Sequence, residues 1–170
     1  MIKMDALKKM YSDLGFVNIH TYIQSGNVMF QAKKSESAKL ENTIKDAILN
    51  EFGFDVPVLV KDAEEMQNVI MNNPFIKKKD VDITKLHVTL LSRLPEQTDL
   101  RKLKENNFLP DEFIILDKTI YLYCPDGYGN TKLNNNFFEN KLKVTATTRN
   151  WKTVNELVKI AKSLSDLNEN

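Results

Sequence analysis

Hydrophobic spacing in the first part of the chain predicts a helix, a hairpin and a second helix. Apolar residues recur at helical spacing from Met4 to Leu14, and Gly15 is a good helix stop. Apolar and polar residues then alternate over 17–24, ahead of a turn at Ser25-Gly26-Asn27 and a return strand that begins with Val28 and Phe30. Helical spacing resumes over 36–52 and ends at Gly53.

Shorter patterns follow, up to residue 84. "VPVLV", residues 56–60, is typical of a short buried strand. Asp62 is placed to cap a helix that Asn72-Asn73-Pro74 stops. Residues 75–84 contain three consecutive lysines and are typical of a solvated linker.

The second half is predicted to alternate strands and helices. The expected elements are a strand over 86–91, a helix over 97–106 with Thr98 as its cap, strands over 112–117 and 119–124, a helix over 131–142, a weak strand over 143–148, and a last helix from Trp151 to Leu164.

This order predicts an α+β fold of two ferredoxin-like (βαββαβ) units in tandem, followed by a C-terminal helix. Residues 1–74 form the N-terminal unit with a connecting helix, and 75–170 form the C-terminal unit with the terminal helix. The first unit has no opening strand, which lies mid-sheet in this fold. Each backbone group left unpaired and buried costs about 1–3 kcal/mol. We therefore expect an upstream strand outside this chain, a rearranged first sheet, or another chain in the gap.

Composition narrows the classes of function. The chain has 170 residues, 42% of them hydrophobic, and a net charge of +1. Lys and Arg balance Asp and Glu throughout: 7 against 7 in residues 1–60, 9 against 8 in 61–110 and 8 against 8 in 111–170. No segment has the basic surplus typical of nucleic-acid binding.

Cysteine and histidine are too few for a disulfide or a metal centre. Cys124 is the only cysteine, and His20 and His87 are the only histidines. We expect no metal, no cofactor and a cytoplasmic location. No apolar run reaches the roughly 18 residues of a membrane span, and residues 1–15 lack a signal-peptide pattern.

The segment "CPDGYGNTKL", residues 124–133, is the first candidate site. Gly127 and Gly129 allow the tight backbone of a phosphate-binding loop, and Lys132 adds positive charge. Asn130 or Thr131 is expected to cap the next helix. The spacing is not that of a P-loop. The alternative is a strand-to-helix turn with no ligand.

The segment "TTRNWKT", residues 147–153, is the second candidate. Arg149 has a planar guanidinium that suits phosphate or carboxylate, and it precedes a helix. We expect Arg149, Asn150 and Thr148 to line a pocket with the glycine turn. Alternatively, Asn150 caps the helix, Trp151 fills the core and Arg149 bonds loop carbonyls or a carboxylate.

Some side chains are predicted to lie on the strand faces opposite the main apolar residues. If such a sheet face is open, it can stack nucleic-acid bases, so the protein could alternatively bind nucleic acid. A covered face explains the same pattern. These residues are His20, Tyr22, Met29, His87, Thr89, Tyr121 and Tyr123. Ser25 has no neighbouring His–Asp pair, and Cys124 is more typical of a packed residue than of a nucleophile.

Two segments carry a family resemblance. "DALKKMYSDLGFVNIHTYIQSGNVMF" and "PDGYGNTKLNNNFFENKLKVTATTRNWKTVNELVKIA" resemble the N- and C-terminal signatures of the family named domain of unknown function 1697. The resemblance implies a small, mostly bacterial protein with paired ferredoxin-like units and no established reaction. Members usually begin with a strand and a Gly-rich loop before the helix near Met4, so Met1 is expected to be internal to a longer reading frame. Members often have arginine where Asn130 stands.

The sequence therefore predicts a soluble protein that binds a small molecule or anion. The expected site is Gly127, Gly129, Thr131, Lys132, Arg149 and Asn150. An anionic small molecule is the expected partner, a homodimer is left open, and no membrane partner is expected. Two alternatives stay open: a nucleic-acid-associated protein, and an enzyme whose catalytic residues lie partly in the missing N-terminal segment.

Overall fold

The computed structural model describes residues 1–22 and 26–166. Six α-helices and six strands lie within these residues, with single 3-10 turns at Pro74–Lys77, Ile83–Lys85 and Tyr128–Asn130. The elements, in order, are α1 Met4–Asp13, β1 Val17–Tyr22, β2 Asn27–Gln31, α2 Ser37–Phe52, α3 Ala63–Met71, β3 Leu86–Leu91, α4 Gln97–Lys104, β4 Glu112–Leu116, β5 Thr119–Tyr123, α5 Asn135–Leu142, β6 Ala146–Asn150 and α6 Trp151–Asp166.

Two compact units divide the chain. The first comprises Met1–Ala63 and Leu157–Asn170, and the second comprises Glu64–Glu156. The predicted boundary after residue 74 stays a prediction.

The first unit contains one antiparallel hairpin packed with two helices. β1 pairs with β2, and the pairing is irregular between Val17 and His20. The apolar faces of α1, β1 and α2 form one core, built from Leu7, Met10, Tyr11, Ile19, Ile44 and Ile48. The predicted turn at Ser25 lies outside the described residues, apart from Gly26 and Asn27.

The predicted strand over residues 56–60 is wrong. This segment has no regular secondary structure, although Val56, Val58 and Val60 pack against the core of the first unit. Alternating apolar residues supply a buried face, but a strand also needs a neighbour for its backbone groups. In the described part of this unit, only β1 and β2 are paired as strands.

The second unit is built on a four-stranded antiparallel sheet in the order β4-β5-β3-β6. α4 and α5 cover one face, with a core that includes Leu91, Leu103, Ile120, Leu122 and Phe138. α3 and the first turn of α6 cover the other, with Leu86, Val88, Tyr121, Trp151 and Val154. Phe75 is fully buried in that second core, so the stretch 75–84 is not simply a solvated linker.

The architecture is α+β. Two tandem ferredoxin-like units stay a proposal, considered below. No helix in residues 1–22 and 26–166 has both the length and the apolar character needed to cross a bilayer.

Candidate functional site

The loop from Cys124 to Asn134 joins the end of β5 to the start of α5. The Gly127 amide donates to the Cys124 carbonyl at 2.9 Å, and Gly127 has φ +93°, a conformation that favours glycine. Asn134 caps α5, because its Oδ1 accepts from the Phe137 amide at 2.9 Å. The predicted caps were wrong: Asn130 donates instead to the Asp126 carbonyl at 2.8 Å, four residues back.

The Thr131 side chain forms hydrogen bonds within the protein. Its hydroxyl donates to Asp111 Oδ2 at 2.7 Å and accepts from the Leu133 amide at 3.0 Å. Only 8% of the residue is exposed, so it fixes the loop from inside. Burial raises the pKa of Cys124 to about 11, although a hydrogen bond with Thr131 works against that rise. The thiol is therefore not poised as a nucleophile at neutral pH.

Tyr128 lies over the start of β3. Its ring stacks on the His87 ring with centroids 4.7 Å apart. Burial lowers the pKa of His87, and a backbone hydrogen bond at Lys85 opposes the shift. The His87 Nδ1 atom is buried without a well-formed hydrogen bond. The His87 ring is therefore uncharged at neutral pH, and it packs beneath the Tyr128 ring of the loop.

Gly129 and Lys132, the other two residues of the predicted site on this loop, are exposed. A Cβ on Gly129 would meet nothing within 4 Å, and its φ lies outside the left-handed region. Neither crowding nor backbone strain therefore requires glycine there. Lys132 is exposed and lies two residues before the cap of α5. Both positions are therefore available to a ligand.

Arg149 and Asn150 are separated by the alternation of β6. Arg149 lies opposite Val88, whose side chain belongs to the core on the α3 and α6 side. Asn150 lies opposite His87, on the other face. Arg149 donates to the Thr147 hydroxyl at 2.7 Å and to the Thr148 carbonyl at 2.9 Å, and burial lowers its pKa.

Asn150 caps α6. Its Oδ1 accepts from the Thr153 amide at 2.8 Å. The structure thus brings Gly127, Gly129, Thr131 and Lys132 together on one loop, and it directs Arg149 to the opposite sheet face.

On the sheet face that α4 and α5 cover, three polar side chains form a short chain of hydrogen bonds that the sequence does not predict. Thr89 and Thr148 lie opposite each other, with their hydroxyls 2.6 Å apart, and Thr148 also donates to Asn135 Oδ1 at 2.6 Å. The three residues join β3, β6 and the first turn of α5. Only the strand register reveals the chain, because its members are far apart in sequence.

Neither face of the second unit's sheet is the open face of the nucleic-acid alternative. Thr89 is fully buried on one face, and Tyr121 is 1% exposed on the other. The Tyr121 hydroxyl donates to the Val69 carbonyl at 2.7 Å. These side chains cannot stack on bases without unfolding the layers that cover them.

Comparison with known proteins supports the fold and family. The sequence model of a family described as Protein of unknown function (DUF1697) matches residues 1–121. No curated protein matches the chain. The structure of conserved bacterial protein SP0830 from Streptococcus pneumoniae is similar, with a TM-score of 0.73 and 18% identity, over 95% of this chain and 90% of that one. At that identity the likeness supports the fold alone.

Proposed function

We propose that this chain, which belongs to the family described as Protein of unknown function (DUF1697), has a role in binding. The description of that family assigns no reaction. The loop between β5 and α5 holds the anionic group of a small molecule. The finer fold belongs to this proposal: two ferredoxin-like units in tandem, the first without its opening strand. The sheet order β4-β5-β3-β6 supports that assignment for the second unit, because it matches the order of a βαββαβ sandwich.

The observation that carries the proposal is the combination of Gly129 and Lys132 ahead of a helix N-terminus. Gly129 leaves open space beside the backbone, and Lys132 supplies an exposed ammonium. The first amides of α5 add partial positive charge close to the Asn134 cap. Backbone amides and a lysine at a helix start are groups that bind phosphate or carboxylate.

The other predicted residues have supporting roles in this proposal. Gly127 and Thr131 shape the loop, since one adopts φ +93° and the other bonds Asp111 and Leu133. Asn150 orders the start of α6. Arg149 has no part in binding because β6 places it on the opposite face. Tyr128 and His87 support the loop against the sheet.

Calorimetric titration with inorganic phosphate tests the proposal. Lys132→Gln removes the charge, and we expect binding to weaken by at least about tenfold, because a hydrogen bond to a charged group is worth about 1.5–3 kcal/mol. Gly129→Ala fits the free fold, so weaker binding in that variant indicates a ligand that approaches the backbone. Lys141→Gln, at the far end of the same helix, is the matched control. Equal phosphate affinity in all four proteins rejects the site.

A further inference from the structure

One ring nitrogen of His87 is buried without a hydrogen bond at the place where the proposed binding loop meets the sheet. His87 lies on β3, which is paired on both sides, and its Nδ1 atom has no partner among the described residues. The Lys85 carbonyl is the backbone acceptor that favours a proton on the ring, but it already accepts from the Cys124 amide at 3.1 Å. A proton on Nδ1 therefore lacks a well-formed hydrogen bond while the ring stays in place.

The Tyr128 side chain attaches the middle of the loop to the sheet. Hydrogen bonds fix the two ends of the loop, since the Cys124 amide bonds the turn before β3 and the Thr131 hydroxyl bonds Asp111. Between these ends, the backbone bonds of the 3-10 turn close on residues of the same turn. The Tyr128 ring stacks on His87 and packs against the core under α4 and α5. Displacing this ring therefore frees the turn while both ends of the loop stay bonded.

The groups around the His87 ring supply no opposite charge. β5 and β6 place Leu122 and Asn150 opposite His87, and α5, which covers this face, begins with the uncharged sequence Asn-Asn-Phe-Phe. The titratable side chains on the loop and on the segments that contact it are Lys85, Asp111, Cys124, Asp126, Tyr128 and Lys132. Burial is the larger influence on the pKa of His87, and no charged side chain in residues 1–22 and 26–166 adds to the shift. A proton on His87 is therefore an uncompensated charge under the loop.

We infer that the stack is a pH-sensitive switch: when His87 gains a proton, the Tyr128 turn leaves the sheet, and the loop no longer presents Gly129 and Lys132 to an anion. The inference rests on the proposed binding function. An imidazolium is attracted to the π face of a tyrosine, but this attraction supplies no acceptor for the buried N–H. The released ring has the ordinary pKa of 6.5, and the stacked ring has a lower one. Attachment is therefore favoured above pH 6.5 and is lost progressively as the pH falls from 6.5 towards the lower pKa of the stacked ring.

NMR of the full chain without an anion tests the switch. Histidine is the side chain that ordinarily titrates as the pH falls from about 7.5 to about 5.5, and this chain has two histidines, His20 and His87. The pH is lowered until the His87 imidazole is charged. Nuclear Overhauser contacts between the His87 and Tyr128 rings should then be lost, and the Gly129 amide should shift with the same midpoint. The Leu90 amide signal should persist, because β3 stays paired on both sides.

Two histidine variants provide the comparison. His87→Gln removes the titrating group, so the Gly129 shift should stay constant over the same pH range. His20→Gln changes the exposed histidine of β1 and is the matched control, which should behave as the wild type. Ring contacts that persist once the imidazole is charged overturn the inference, as does a Gly129 shift that still follows pH in His87→Gln. Loss of the Leu90 signal together with the ring contacts also contradicts it, because the sheet is then unfolding.

Calorimetric titration with sulfate, which keeps its charge over this pH range, connects the switch to binding. The apparent dissociation constant should rise as the reciprocal of the fraction of molecules in which the turn is still attached, and the ring contacts measure that fraction. Tighter sulfate binding in acid would show that the imidazolium attracts the anion without releasing the loop, and the inference is then wrong. If no sulfate binds at any pH, the proposed binding function fails, and the ring contacts alone decide whether the switch exists.

Discussion

The Tyr128 ring lies on the His87 ring, with centroids 4.7 Å and planes 21° apart. Tyr128 belongs to the turn after β5, and His87 belongs to the central strand β3. The stack therefore connects the proposed binding loop to a strand that is paired on both sides. It also keeps the imidazole away from water, which lowers the pKa of His87.

The first prediction concerns the pH dependence of stability. The pKa of His87 lies below 6.5 in the folded chain, so the unfolded chain takes up the proton first as pH falls. The free energy of unfolding should therefore drop from about pH 7 downwards until the folded pKa is passed. Urea denaturation at several pH values measures this slope. His87→Gln should flatten the slope, and an unchanged slope in that variant contradicts the account.

A second prediction concerns Thr131. Thr131→Val keeps the side-chain shape but removes the hydroxyl. The Leu133 amide and the Asp111 carboxylate then each lose their hydrogen bond with residue 131. Unfolding free energy should fall by about 1–3 kcal/mol, the usual cost of a buried group left unpaired. Thr131→Ser retains the hydroxyl and should lose less than half as much. Equal losses in the valine and serine variants would assign the effect to packing instead.

A third prediction separates Arg149 from binding. Arg149→Gln loses the contacts with Thr147 and with the Thr148 carbonyl, so thermal stability should fall. Phosphate affinity should stay within about twofold, because the side chain is on the far sheet face. Parallel melting curves and calorimetry make the comparison. If Arg149→Gln has normal stability but binds phosphate tenfold more weakly, Arg149 takes part in binding and the prediction is wrong.

Local signals predicted most helices and strands. The sequence predicts Gly15 and Gly53 as helix stops, and both have positive φ just after α1 and α2. β3 covers the predicted residues 86–91. These features depend on neighbours in sequence, where hydrophobic period and glycine conformation are informative.

The sequence predicts the site less completely than the secondary structure, because the faces on which Arg149 and Asn150 lie depend on the register of β6 against β3. The sequence predicts a weak strand that ends at Thr148, and this places Arg149 and Asn150 together in a loop. β6 runs through Asn150, so pleating separates the two side chains. Stacking of Tyr128 on His87 joins a turn and a strand that are distant in sequence. Neither contact has a local signature.

A fourth prediction follows from the missing strand pairing at residues 56–60. The amides of Val56 and Val58 should exchange with deuterium much faster than those of Val88 and Leu90 in β3, which is paired on both sides. Val60 should be slower than Val56, because its amide donates to Glu41 Oε1 at 2.9 Å. Exchange mass spectrometry or NMR measures the difference. Uniform protection across 56–60 would indicate a paired strand.

The most direct test of the binding account is a phosphate titration followed by amide chemical shifts. The Gly129 and Lys132 amides should move in a saturable way with a common dissociation constant, while the Arg149 amide, on the opposite face of the same sheet, stays in place. Absent or non-saturating shifts at Gly129 and Lys132, or larger saturable shifts elsewhere, would contradict the assignment of the anion site to the loop before α5.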